Sequence, residues 1–413
     1  MRLYLLIWHY KGDSVPLYPL PKGYNPFGIP VLINSNPNKE FEFIRAERPE
    51  NINTFSRNIK GNKIPLYIQI NKYCHIESMV TREENFMKVK ESLLKALAEA
   101  NGEYISGTAL AEKLGVSRNA VWKAVKALEA EGYKIISSSS KGYTFDYDNN
   151  RLCEELILSK LETKELGRNL KIYKEVESTN ITAKELAAAG AVHGTAVITD
   201  TQTMGKGRLG RQFVSPAGTG MYMSVIIRPN LPIESVPLIT PAVAVAAAEA
   251  TEKLCGHEVQ IKWVNDLYMN GKKICGILTE ASLGLEMKSL DYAVIGIGIN
   301  VLSVADFFSE ELRQTATSVE DETGVKVDRN AICAAVLNSL EQRLEEIESR
   351  RYLAEYRRRE YLTGKRITAV VDGKTITGSA VGIDNNANLM IEMPNGDIRY
   401  LNAGEANLCR LKR

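Results

Sequence analysis

Gly107–Lys126 reads GTALAEKLGVSRNAVWKAVK, and its punctuation decides how this part of the chain folds. Gly115-Val116-Ser117 separates two apolar-periodic runs, and Ser117 stands where a serine hydroxyl accepts the orphan N–H groups of a helix beginning at Arg118. In that helix Val121, Val125 and Leu128 form the buried stripe, so Arg118, Asn119, Trp122, Lys123 and Lys126 face outward; Gly132 stops it. Upstream, Ala109–Leu114 reads as a short helix. Before it Val89, Leu93, Leu94 and Leu97 recur at helical spacing until Asn101-Gly102. Downstream, Tyr133–Ser137 and Gly142–Phe145 read as a hairpin around Ser138-Ser139-Ser140-Lys141. The order is that of a winged helix-turn-helix over residues 87–148, followed by a polar linker, Tyr147–Asn150. Arg118 and Asn119 at the helix N-terminus suit base edges. Lys123 and Lys126 suit phosphates, as does the wing tip, Ser137–Lys141. Winged helices also serve as protein-contact modules, and that alternative stays open here.

The flanks differ sharply. Residues 1–86 are punctuated by Pro16, Pro19, Pro21, Pro26, Pro30, Pro37 and Pro49 and sustain no period, so they read as a leader without a recognisable fold. Disorder or a misassigned start, with Met79 or Met87 as the alternative, is the expectation, and a small extra domain the other reading. From Leu152 to Leu362 apolar β-rich runs (Ala196–Ile198, Met221–Ile227, Ile274–Leu278, Ala293–Ile299) alternate with helical stretches, notably Pro241–Leu254 and Ala331–Leu353. The pattern predicts an α/β domain with a largely buried mixed sheet over residues 152–362. Residues 364–413, with hairpin signals at Asp372-Gly373 and Asn395-Gly396, predict a small antiparallel barrel. The whole is a multidomain α+β chain.

Composition bounds the chemistry. A net charge of +2 over 413 residues excludes a polycation, so any nucleic-acid contact is local. Six scattered cysteines and four histidines form no CxxC pair and no metal-ligand spacing, which argues against a disulfide framework or structural zinc and fits a reducing cytoplasm. No uninterrupted apolar run approaches the roughly 18–20 residues of a membrane span.

Three segments carry chemistry. Gly205-Lys206-Gly207-Arg208-Leu209-Gly210-Arg211 follows a strand and the polar run Asp200–Thr203; its glycines admit close backbone approach and its cations supply charge, which suits a phosphate or acyl phosphate. It is neither a P-loop nor a dinucleotide fingerprint, and the alternative is a solvated basic loop. Lys262-Trp263-Val264-Asn265-Asp266 leads to Gly271-Lys272-Lys273, where Lys273 begins a strand and can be aimed into a site; a solvated hairpin turn is the bland reading. Gly296-Ile297-Gly298-Ile299-Asn300 places alternate glycines on an apolar strand, the mark of a ligand or of another element pressed close.

Together these residues resemble the biotin protein ligase family, over roughly residues 88–410. Ser178-Thr179-Asn180 is similar to its STN motif, Gln202 with the 205–211 loop to its GRGRRGR segment, and Lys262–Asp266 to its KWPND. Lys273 falls at its biotin-contacting lysine, and Gly296–Asn300 resembles its GxGxN strand. Gly382-Ile383-Asp384 and Gly404-Glu405-Ala406 look like its C-terminal GID and GEV signatures. Lys206 and Leu209 stand in place of arginines, Phe213 in place of a tryptophan, and Val264 in place of the proline. Arg410 falls one position late and is left out of the site.

The resemblance implies a two-step reaction, in which biotin and ATP with Mg²⁺ give biotinyl-5′-AMP and a lysine of a biotin carboxyl carrier protein then takes the biotin. It implies biotin contacts from Ser178, Thr179, Asn180, Gln202, Lys206, Gly207, Arg208 and Lys273, with Lys273 and Arg208 catalytic. ATP or adenylate contacts fall to Gly205, Gly207, Arg208, Gly210, Arg211 and Asn300, with Asp266 a weak metal candidate and no tightly bound structural metal. Residues 303–317, with Phe307 and Phe308, match a loop that orders over the adenylate, and mobility without ligand is implied for it. The extra domain implies a biotin-responsive repressor that binds operator DNA as a homodimer when loaded with biotinyl-AMP. A silent winged helix, a ligand-sensing transcription factor without catalysis and a lipoate ligase are the alternatives.

Overall fold

The computed structural model describes residues 31–33, 42–44, 85–100, 102–146, 150–229, 231–283, 290–371, 374–402 and 404–409. Two short antiparallel strands, β1 (Val31–Ile33) and β2 (Glu42–Ile44), belong to a unit of their own, residues 1–79. The rest of that leader, Tyr147–Asn149 of the linker, the Asp372-Gly373 turn and Arg410 lie outside the described residues.

The winged helix-turn-helix forms from α1 (residues 85–99), α2 (Gly107–Leu114), α3 (Arg118–Ala130), β3 (Ile135–Ser138) and β4 (Gly142–Phe145). Ser117 Oγ accepts the Ala120 N–H at 3.2 Å, as its place in the sequence requires. α2 starts two residues earlier than its apolar pattern suggests, because Ser106 Oγ caps it through Ala109 N–H at 3.1 Å. Leu93, Leu97, Leu110, Val121, Val125 and Leu128 close one small core. Ile105 bridges Tyr143 at the wing, so close that a Cβ on Gly142 would stand 2.1 Å from the Ile105 carbonyl oxygen, at φ 105°. Cys153 and Leu156, at the start of α4 (Glu154–Leu158), join this core, and Arg151 lies 4.4 Å over the Tyr133 ring. The winged helix is thereby packed onto the first helix of the next domain.

That domain is built on seven strands: β5 (Leu170–Val176), β6 (Ala196–Gln202), β7 (Gly220–Ile227), β8 (Gln260–Lys262), β9 (Asp266–Met269), β10 (Lys272–Leu283) and β11 (Leu290–Asn300), in the order β5-β6-β7-β11-β10-β9-β8. Only β5 and β6 pair in parallel, joined through α5 (Thr179–Ala188), so the sheet is mixed. α5 lies on one face over Val197, Ile226 and Val294. α6 (Ile239–Cys255) belongs to the main core against Ile198, Met223 and Ile295. With the turn before it α6 has a mean hydropathy of 1.4 over an 18-residue window, enough for a membrane span by composition. Its alanines and valines are instead buried against the sheet and α9 (Arg329–Glu345), the place of a core helix.

Between them come two short helices, α7 (Glu310–Arg313) and α8 (Val319–Thr323). The stretch Ala331–Leu353 does not run as one helix. It breaks after α9, Arg350 adopts φ 57°, and a separate helix, α10, spans Tyr352–Arg359. No proline or glycine marks that break, so apolar spacing alone misses it. The C-terminal β12 (Arg366–Val371), β13 (Lys374–Ile383), β14 (Leu389–Glu392), β15 (Ile398–Leu401) and β16 (Glu405–Leu408) form a small antiparallel sheet ordered β15-β14-β13-β12-β16.

Arg329 ties linker and sheet together. Its fully buried guanidinium donates to the Gly220 carbonyl (2.7 Å) and the Asn150 carbonyl (2.9 Å) and pairs with Asp200 at 2.8 Å. Asn150 donates in turn to the Gly218 carbonyl, and Asp200 accepts the Gly218 N–H at 3.1 Å. Removing one partner of such a pair strands a carboxylate and two carbonyls. Arg329→Ala is therefore expected to cost about 3–5 kcal/mol, read as a lowered urea midpoint for the domain.

Candidate active site and DNA-facing surface

A cleft of about 970 Å³, including its open mouth, lies on the α5 face of the sheet. Ser178, Thr179, Asn180, Gln202, Lys206, Gly207, Arg208, Arg211, Asp266 and Lys273 line it, so most residues expected from the sequence are brought together. Gly205, Gly210 and Asn300 do not line it. Gly205 is buried under the loop, where its carbonyl accepts the Phe213 N–H at 2.8 Å, and Gly210 turns at the exposed apex with φ 74°. Asn300 is buried at the end of β11, donating to the Thr317 carbonyl at 2.8 Å.

The floor follows from strand register. Across β7, β11 and β10, Ser224 pairs with Gly296 and Gly296 with Leu278; one step along the same face, Tyr222 pairs with Gly298 and Gly298 with Gly276. The three glycines leave a trough. A Cβ on Gly296 would lie 2.1 Å from Asn180 Oδ1, and one on Gly298 2.6 Å from the Phe213 ring. Both expected roles for the glycines, close packing and a lining for the cleft, are therefore met at once.

Ser178 is the N-cap residue of α5, yet its hydroxyl makes no capping bond. Thr179 N–H donates to Gln202 Oε1 at 2.9 Å, and Gln202 Nε2 donates to Ser215 Oγ at 2.8 Å. Asn180 Nδ2 donates to the Leu278 carbonyl (3.2 Å) and to Glu280 (2.9 Å), while its Oδ1 lies 2.6 Å from Ser224 Oγ. The Asn180 amide thus makes three bonds to protein while its residue lines the cleft. Burial alone would raise the Glu280 carboxyl, but hydrogen bonds from Lys184 and Asn180 outweigh it and hold the group below its usual range.

The cations are parked on acceptors. Lys273 Nζ pairs with Asp266 at 2.6 Å. Lys272, its neighbour on the strand, points the other way and pairs with Glu322 at 3.6 Å, so the turn reading holds for one lysine only. The Lys273 backbone donates to the Thr315 carbonyl and accepts from Thr317 N–H, both at 2.9 Å. Residues 303–317, expected from the resemblance to be mobile, carry α7 here and clamp that lysine. Arg208 donates to Asn265 Oδ1 (3.1 Å) and to the Gly404 carbonyl (3.2 Å), and Arg211 grips Glu405 with two bonds of 2.8 and 2.5 Å. Lys262 donates to Asn407 at 2.7 Å; burial pulls its ammonium below the usual range against Asp266 and Glu405. Burial would lift the Glu405 carboxyl, but bonds from Arg211 and Asn407 hold it low.

Sequence reasoning missed Ser215, Ser224, Glu280 and Asn407, and gave no role of their own to Asn265, Gly404 and Glu405, which lie in segments it quoted. Ser224 did leave a signal, a lone serine in the fully buried run Met221–Ile227. Among the described residues no group of three His, Cys, Asp or Glu side chains could hold a metal, and Asp266 already faces Lys273. The residues present do not build a resident metal site.

On α3, Arg118, Asn119, Trp122, Lys123 and Lys126 are all exposed opposite the buried stripe, Trp122 at 50%. Lys126 pairs with Glu129 at 2.7 Å; Lys141, at the wing, lies 5.6 Å over the Tyr104 ring.

Three family models match in chain order: an HTH domain over residues 89–144, the Biotin/lipoate A/B protein ligase family over 173–300, and the Biotin protein ligase C terminal domain over 362–408. The chain is 35% identical to the Bifunctional ligase/repressor BirA of Bacillus subtilis and 30% to that of Escherichia coli, each match spanning 75% of this chain and 95% or 94% of the relative. Among solved structures, the biotin protein ligase of Aquifex aeolicus in complex with biotin and ATP is 28% identical, with a TM-score of 0.50, over 59% of this chain and all of that one. With its helix-turn-helix, ligase and C-terminal segments in that order, the chain belongs to the biotin protein ligase family, in its bifunctional ligase/repressor form.

Proposed function

We propose that the trough binds biotin, that the 205–211 loop and Lys273 bring its carboxylate to ATP, and that the product, biotinyl-5′-AMP, serves both transfer to a carrier lysine and control of DNA binding. The observation that carries this is the convergence of polar side chains, Ser178, Thr179 and Gln202, at one end of the trough with Lys273, Arg208 and Arg211 in the same cleft. Ser178, Thr179 and Gln202 form the polar end and suit a ureido ring; Asn180 positions them rather than touching ligand. The backbone of Lys206 and Gly207 closes over it.

In the first step a carboxylate oxygen attacks the α-phosphorus, forming the acyl–phosphate bond as the bond to the β-phosphate oxygen breaks and pyrophosphate leaves. Both reactants are anions, so the cations decide the rate. Lys273, gripped on both backbone sides, exchanges Asp266 for the biotin carboxylate. Arg208 and Arg211 exchange the Gly404 carbonyl and the Glu405 carboxylate for phosphate oxygens. Mg²⁺ arrives on the triphosphate as part of the substrate. In the second step the carrier lysine amine attacks the acyl carbon, AMP leaves and the amine proton is lost to solvent, with Lys273 stabilising the developing oxyanion. Partners in this reading are a biotin carboxyl carrier protein, operator DNA and a second copy of the chain when loaded with biotinyl-AMP; the setting is the cytoplasm. Residues 87–148, 152–362 and 364–413 are taken as the domain limits.

Wild type is expected to catalyse ATP–pyrophosphate exchange with biotin and not with lipoate, and Lys273→Ala to lose about 10²–10³-fold, the usual cost of one pre-aimed charge. Exchange with lipoate alone would move the substrate, and none from folded protein would leave a sensor. In filter binding to operator DNA, Arg118→Ala is expected to cost about 1–3 kcal/mol and relax specificity, whereas Lys123→Ala lowers the salt slope by about 1 across all sequences. Exchange activity stays at wild-type level in both.

A further inference from the structure

Along β10, Leu278 and Gly276 line the cleft, and strict two-residue alternation would bring Ile274 there next and turn Lys273 to the opposite side. The reverse is observed. Ile274 and Cys275 are both fully buried in the main core, and Lys273 lines the cleft. The switch is a β-bulge: Lys273 pairs with Tyr268 and Cys275 with Leu267, so Ile274 is one residue more than β9 supplies. A bulge takes backbone groups out of the ladder, and here another part of the chain receives them. The β10–β11 ladder begins only at Cys275. Beyond it residues 315–317 take the side where β11 would continue, in a parallel bridge at Ala316. Lys273 N–H donates to the Thr315 carbonyl, and the Lys273 carbonyl accepts from Thr317 N–H.

That bridge is held from behind. Fully buried Ser318, next in sequence, caps α8 through Asp321 N–H at 3.1 Å and donates to the Asp321 carboxylate at 2.8 Å. The same carboxylate accepts from Ser303 Oγ at 2.6 Å and from Val304 N–H at 3.0 Å. One side chain therefore joins the two ends of the 303–318 segment. Burial would raise the Asp321 carboxyl, but these bonds outweigh it and hold the group below its usual range. Its neighbour Glu322 accepts from Asn270 Nδ2 at 2.9 Å and pairs with Lys272 at 3.6 Å, which fastens α8 to the turn leading into Lys273.

We infer that Asp321, which does not line the cleft, is a positioning residue for Lys273: by closing the 303–318 segment it keeps Thr315–Thr317 against the bulge that turns the lysine, and not the isoleucine beside it, toward the ligand. The inference rests on the reading of Lys273 as the cation that meets the biotin carboxylate. Without the Asp321 carboxylate, Ser303, Val304 and Ser318 lose their common acceptor, the bridge at Ala316 slackens, and the ammonium is no longer held to one aim.

The test is a double-variant cycle in biotin-dependent ATP–pyrophosphate exchange, with thermal melting of each protein: wild type, Lys273→Ala, Asp321→Ala, Asp321→Asn and Asp321→Ala with Lys273→Ala. At saturating biotin and ATP, Asp321→Ala is expected to lose about tenfold in exchange rate, less than the ~10²-fold of a full 1 Å misplacement. Asp321→Asn, which keeps one acceptor oxygen, falls between it and wild type. The double variant is expected to be no slower than Lys273→Ala alone, because a charge already removed cannot be misaimed. Wild-type exchange in Asp321→Ala overturns the inference, as does a loss that multiplies in full with that of Lys273→Ala; the second result, with a lowered melting temperature, leaves Asp321 a purely structural residue. Should Asp321→Ala not fold, Asp321→Asn enters the same cycle in its place. Lys273→Ala that exchanges as fast as wild type overturns the functional reading instead, and that failure is seen before any Asp321 variant is compared.

Discussion

The register of three strands is the constraint on which the site depends. A pleated sheet raises a side chain from each face at every second residue, and a ligand cleft on such a face normally needs a loop to make room. Here room comes from deletion: Gly276, Gly296 and Gly298 fall on one face of β10 and β11, side by side across the ladder. The empty rows take the Asn180 amide and the Phe213 ring, and Tyr222 meets that ring edge-on at 6.4 Å. A slip of one residue would raise Ile297 and Ile299 into the trough and turn the glycines to the main core. Because α6 and α9 fill that opposite face with buried apolar side chains, the register is held by the hydrophobic packing of one side while chemistry is done on the other.

The charged wall is arranged by a different part of the chain. Arg208, Arg211 and Lys262 all reach acceptors of Gly404, Glu405 and Asn407, so the small C-terminal sheet and the loop before it hold three cations of the cleft in place. Such pairs contribute little net stability where solvent reaches them. Their value is positional, because they keep three like charges close together without a counter-ion from substrate. In the proposed reaction an arriving triphosphate would take the place of these acceptors, and the side chains need not be gathered from solvent.

Much of this was legible in the sequence, and what was not has a common cause. Ser117, the Val121–Leu128 stripe and the wing glycine follow local rules, since caps, periods and turns are decided within a few residues. The cationic loop and the alternate glycines signalled a ligand, and the joint motif pattern named its family. The break near Arg350 escaped because a positive φ on a long side chain carries no marker. The roles of Ser224, Glu280 and the β16 acceptors escaped because each acts across 44 or more positions of sequence, through a register that no single segment reveals. Asn180 shows the limit most clearly. Its place in a motif suggests ligand contact, and no local rule reveals that its amide also makes three bonds to protein.

The same long-range bonding bears on why a DNA-binding module and a ligase share one chain. A flexible tether would leave the two domains independent, and occupancy of one could not bias the other. Here the described end of the linker, Asn150, is hydrogen-bonded to Gly218 and to Arg329, and Arg329 also holds Asp200 at β6 and Gly220 at β7. β6 ends in Gln202 and β7 carries Ser224, two members of the network behind the trough. Cys153 and Leu156 complete the core of the winged helix from the other side of that linker. Hydrogen bonds of Asn150 and Arg329 thus join the described end of the linker to β6, β7 and the turn between them. In the proposed reading, a ligand that tightens the ends of β6 and β7 would be felt at α4, whose Cys153 and Leu156 side shares the core of the winged helix, and that is the physical condition for one small molecule to govern both activities.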